Sequence, residues 1–188
     1  MKKQLLVTAL ITGLLVGLGA TAAQASVDHE LRIEIPAVLM IRFALSDATV
    51  NDADPVVFAP TAEALAAGTR DFDPEDVDTM NWDDIQVFAN TTRDDGFEIV
   101  VSTDSGVSPA FDWAKVSVEP SDGDVVIGEF NLPSNASKQI YASAATPVGP
   151  DAEWQSLGIG PAAYSLTLDG GEEADDYSTT VTYTIADL

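Results

Sequence analysis

The chain has 188 residues, with 31 acidic against eight basic side chains, no cysteine, and a formal net charge of −23 at neutral pH. Such a charge repels nucleic-acid phosphates and anionic membrane surfaces, which excludes both as partners. The missing thiols exclude disulfides, zinc-thiolate centres, thiol catalysis and a lipid-modified cysteine.

Lys2 and Lys3, the apolar stretch Leu5 to Ala20 and the small-residue pattern Ala23-Gln24-Ala25 predict a cleavable secretory signal over residues 1–25. Residues 26–188 then form a single domain, long enough to close one core. Without the signal, Arg32, Arg42, Arg70, Arg93, Lys115 and Lys138 stand against all 31 carboxylates, a net charge of −25. No later apolar run approaches the length of a membrane span, so the mature chain is expected not to insert. The expected location is secreted, extracellular or at the cell surface, with the periplasm as the alternative compartment. Asp outnumbers Glu by 21 to 10. Salt adaptation is the preferred reading of that acidity, because screening over a few ångströms tames self-repulsion; ordinary acidity and cation binding are the alternatives.

Val27, His29, Leu31, Ile33 and Ile35 alternate with Asp28, Glu30, Arg32 and Glu34, the period-two pattern of a half-buried strand. Pro36 interrupts it, and Ala37 to Leu45 reads as a second, more uniformly apolar strand. Thr61 to Ala67 can make two turns of helix, capped by Thr61 and ended by Gly68. Mutual repulsion and Pro74 make Asp71 to Asp78 a surface loop.

Ile85 to Ala89 and Phe97 to Thr103 read as a hairpin, as do Phe111 to Glu119 and Asp124 to Phe130 around Asp122-Gly123. Asn131 to Pro161 is loop-rich, with a short strand around Gln139 to Ala142. Tyr164 to Leu168 and Tyr177 to Ile185 form a closing hairpin. The expected fold is therefore all-β: an antiparallel immunoglobulin-like or Greek-key sandwich of about seven to nine strands, with at most one short helix. An outer-membrane barrel of eight strands fits less well, because charged strand faces would have to meet lipid and no aromatic girdles appear.

Chemistry-bearing residues are few. His29 is the only histidine, so any Ser-His-Asp triad must use it, and its place on an apolar strand face suits a core residue better than a general base. Carboxylates are too numerous for any one pair to mark a glycosidase. No enzyme activity, catalytic residue or resident cofactor is therefore expected. Calcium is the one cation the residues suggest, through the oxygen donors Asp71, Asp73, Glu75, Asp76 and Asp78. They do not make an EF-hand loop, since Asp76 occupies the position that needs glycine. Solvated acidic loops remain the plainer reading.

The first strand has a further use. An amphipathic extended terminus can complete its own sheet or add to an open edge of a neighbouring copy. The runs Ile85 to Thr103 (IQVFANTTRDDGFEIVVST) and Tyr177 to Ile185 (YSTTVTYTI) resemble the strand pairs of bacterial secreted surface sandwiches of the WxL, spore-coat-U and fimbrial-subunit kind. The resemblance implies a non-enzymatic exported domain that coats or extends the cell surface, pilus-like or coat-like, with copies of itself or other surface proteins as partners. A secreted calcium- or carbohydrate-binding module is the alternative.

Overall fold

The computed structural model describes residues 30–33, 38–89, 96–104, 111–121, 123–134, 136–143 and 153–188. The chain divides into two units, Met1–Ile35 and Pro36–Leu188. The predicted signal and His29 lie outside the described residues. Of the first unit only 30–33 are described, and no strand is assigned there. Leu31 and Ile33 are 78% and 74% exposed. The rest of the expected first strand, 27–29 and 34–35, lies outside the described residues.

The second unit is all-β, and its described residues form ten strands in three antiparallel sheets. β1 (Leu39–Leu45), β3 (Trp82–Ala89) and β8 (Gln155–Ser156) form one sheet in the order β1-β3-β8. β4 (Phe97–Thr103), β7 (Ser137–Ser143) and β10 (Val181–Asp187) form another, ordered β10-β4-β7. The third, β2-β9-β5-β6, joins β2 (Asp71–Phe72), β5 (Val116–Val118), β6 (Phe130–Asn131) and β9 (Tyr164–Thr167). One core unites them. Ile85 and Val87 of β3, Phe97, Ile99 and Val101 of β4, Val118 of β5, Leu157 and Ile159 are each no more than 1% exposed. Burying such a side chain contributes about 1.5–3 kcal/mol.

Two of the expected hairpins are not formed. β3 pairs with β1 and β8, and β4 with β10 and β7, so the two strands share the core but no ladder. Each carries fully buried alternate residues and occupies the centre of its sheet, and the connection over 90–96 is too long to impose a tight turn. Likewise β9 and β10 lie in different sheets. Between them the Tyr164 and Tyr183 hydroxyls share a hydrogen bond of 2.7 Å. Burial pushes the Tyr164 phenol up to about 12 and raises that of Tyr183 further above its ordinary value.

The third hairpin survives in shortened form, with Val116–Val118 pairing Phe130–Asn131. Its first arm begins as a 3-10 turn at Trp113–Lys115, where the Asp112 side chain accepts from the Ala114 N–H at 3.1 Å. Its second arm is drawn elsewhere: the Asp124 and Val125 N–H groups both donate to the Ser156 carbonyl, at 3.1 and 3.4 Å. The helix α1 (Ala62–Ala66) forms as expected, with the Thr61 hydroxyl accepting from the Ala64 N–H at 3.1 Å. Gly68 follows at φ +85°, a conformation open to glycine.

Candidate functional site

The sheet margins are the first candidate. β1 pairs with β3, and its Cα atoms come within 8 Å of those of β10 with no ladder between the two. β7 is different: among the described residues its only strand partner is β4. Two features guard that edge. Lys138 stands exposed in β7, and a bulge at Ile140 interrupts the register, since Ile99 pairs with Tyr141 and Val100 with Gln139. Lysines and bulges both discourage indiscriminate edge pairing.

The solvent side of β1 and β3 carries apolar surface that strand patterning did not reveal. Met40 lies opposite Phe88 and is 48% exposed. Phe88 packs against Trp154 with ring centroids 5.6 Å apart, and the Arg42 guanidinium lies 3.8 Å over the Trp154 ring. Arg42 also donates to the Gln86 side-chain oxygen at 2.9 and 3.2 Å.

The five acidic residues expected as calcium donors are spread out, and the segment is not a simple loop. Asp71 opens β2, opposite Thr167, whose hydroxyl donates to its carboxylate at 2.8 Å. Asp78 sits in a 3-10 turn, Val77–Thr79. Asp76 takes the left-handed conformation at φ 50°. The Glu75 N–H donates to the Val57 carbonyl at 2.8 Å. Glu75 and Asp76 line a shallow cavity of about 230 Å³ with Asp54 and Thr79, while Asp71, Asp73 and Asp78 do not. Among the described residues no three carboxylate or histidine side chains converge as metal ligands. Strand pairing pulls Asp71 toward β9, and the turn at 77–79 carries Asp78 away.

A second cavity of about 340 Å³ lies where β3 meets residues 156–163, lined by Asp83, Asp84, Glu119, Ser121 and Ser156 among others. Close backbone packing builds it. A Cβ on Gly158 would stand 1.9 Å from the Ser121 carbonyl oxygen, and one on Gly160 would stand 2.4 Å from that of Asp83. Asp84 Oδ1 accepts the Ile159 N–H at 3.0 Å, whereas Oδ2 is buried without a hydrogen-bond partner. Burial raises the Asp84 carboxyl above the ordinary range, outweighing the Ser156 hydroxyl and the Ile159 amide, which pull the other way. Sequence reasoning missed this site. The pair Gly158 and Gly160, flanked by apolar Leu157 and Ile159, was its one signal of close backbone approach.

A third polar cluster holds the turn after β9. Lys115 Nζ pairs with Asp169 Oδ2 at 3.1 Å and with the Glu172 carboxylate. Glu172 also accepts the Asp169 and Gly170 N–H groups at 3.0 and 2.8 Å. The bond from Lys115 is the main cause that pushes Glu172 down to about 2, and in return Lys115 is raised. Comparison with known proteins finds no matching family model, no matching curated protein and no matching solved structure.

Proposed function

We propose that this protein is an exported, non-enzymatic structural subunit of a cell surface or appendage, pilus-like or coat-like, that assembles by adding strands between copies. The observation that carries the reading is the exposure of Leu31 and Ile33, 78% and 74%, in a segment patterned as a strand. Two large aliphatic side chains on the inward face of such a pattern gain several kcal/mol only when something covers them. A second copy supplies that cover if the segment lies along a sheet edge, where main-chain bonds give affinity and alternate side chains give register. The bulge at Ile140 of β7 favours one register over many. The acidity keeps unassembled subunits apart until edge and segment meet.

The test compares the mature chain, residues 26–188, with a variant lacking Val27 to Ile35, by light scattering and negative-stain microscopy at physiological and molar salt. The full mature chain is expected to form oligomers or filaments. The deletion variant is expected to remain a folded monomer that binds a synthetic peptide of residues 26–35. Assembly by the deletion variant, or a dispersed monomer from the full mature chain under both conditions, overturns the reading.

A further inference from the structure

The second cavity carries an inference that concerns the single subunit and does not rest on assembly. Residues 155–159 cover the edge of β3 that β1 leaves open: Gln86 pairs with Ser156, Val87 with Gln155, and Ile85 and Leu157 to Ile159 exchange backbone bonds of 2.8 and 2.9 Å. Asp84 stands beside that seam, its Oδ1 bound to the Ile159 N–H and its Oδ2 sealed from solvent without a donor.

We propose that Asp84 is a proton-operated latch: neutral, it holds residues 155–159 against β3, and ionised, it loosens them. An ionised carboxylate here would place charge on a buried oxygen that no donor meets, a costly arrangement. The surroundings relieve this only in part: burial outweighs the Ser156 hydroxyl and the Ile159, Ile85 and Gly158 amides, which favour the charged form. Asp83 on the same strand and Glu119 beyond β5 line the same cavity. Asp124 belongs to the segment whose N–H groups bond the Ser156 carbonyl. Across the sheet, β1 presents Ala44. No lysine, arginine or histidine is among the cavity's lining residues.

Two outcomes relieve the charge: the carboxyl binds a proton, or it swings toward water and gives up the Ile159 N–H. The second frees the backbone bonds on either side of Ile159 and uncovers the edge of β3. Because the folded site favours the protonated form, the closed seam is most stable below the ordinary aspartate pKa of about 3.9 and weakens as pH rises through the raised value. Local opening is then expected to increase by up to about tenfold per pH unit inside that window and to level off above it.

Amide exchange of Ile85 and Leu157, followed by NMR between pH 4 and 7.5 and corrected for the intrinsic pH dependence, reads this opening directly. The wild-type protein is expected to show an increase of about threefold or more with rising pH, and Asp84→Asn, which keeps every neighbouring carboxylate, none. A carbon-detected titration of Asp84 in the wild-type protein supplies a second measurement that needs no variant, with a midpoint expected above that of an ordinary aspartate. Equal pH profiles in wild type and variant overturn the latch, as does a midpoint at or below about 3.9.

Discussion

Residues 156–160 and 169–172 are both short connections, fixed by different physics. The first is held mainly by shape, with the Asp84 carboxyl bonded to the Ile159 N–H beside it. Gly158, at φ +69°, presses its backbone on Ser121, whose N–H donates to the Gly158 carbonyl at 2.8 Å, and Gly160 lies on the Asp83 carbonyl. The second is held by charge, with Glu172 gathering two backbone N–H groups and the Lys115 ammonium. Close packing tolerates no added atom and is indifferent to salt. An ion pair tolerates substitution but answers to ionic strength.

Adding one methyl group to the first connection is the hardest blow to that contrast. Gly158→Ala combines a backbone overlap with a left-handed residue and is expected to cost at least about 3 kcal/mol, read as a large drop in urea midpoint or as failure to fold. Gly160→Ala meets a carbonyl 2.4 Å away, but its backbone is not left-handed, so about 2 kcal/mol is expected from the same denaturation curves. The smallest effect belongs to Glu172→Gln. Its folded pKa lies below the ordinary glutamate value of about 4.3, so its contribution is present above that pH and disappears as pH falls toward about 2. Melting curves of wild type and Glu172→Gln are expected to differ slightly at pH 7 and to converge at pH 2, with the difference also shrinking in molar salt. A salt-sensitive loss in Gly158→Ala, or a salt-insensitive one in Glu172→Gln, would erase the distinction between the two connections.

The sequence made the faces of strands legible but not their neighbours. In β4, Phe97, Ile99, Val101 and Thr103 point inward as the alternation predicts, because a buried face admits only one phase. Which strands flank β4 depends on where distant segments return, and nothing in residues 97–103 encodes β10 or β7. The closing residues misled for the same reason: Tyr164 and Tyr183 do approach each other, as hydroxyls bridging two sheets and not as hairpin partners. Helix α1 was legible because its Thr61 cap and Gly68 stop are local chemistry. Among the acidic residues the opposite held. Asp71 to Asp78 drew notice by density, though among the described residues no three such side chains gather as metal ligands, while Asp84 stands out only through its burial beside residues far along the chain.

The tyrosine bridge gives this molecule a built-in optical gauge. Phenolate absorbs at longer wavelength than phenol, and neither Tyr164 nor Tyr183 will surrender its proton near the usual pH of 10 while the sheets stay joined. In an alkaline titration their ultraviolet signal will therefore arrive late and abruptly, timed by the separation of β9 from β10 instead of by simple acid–base equilibrium.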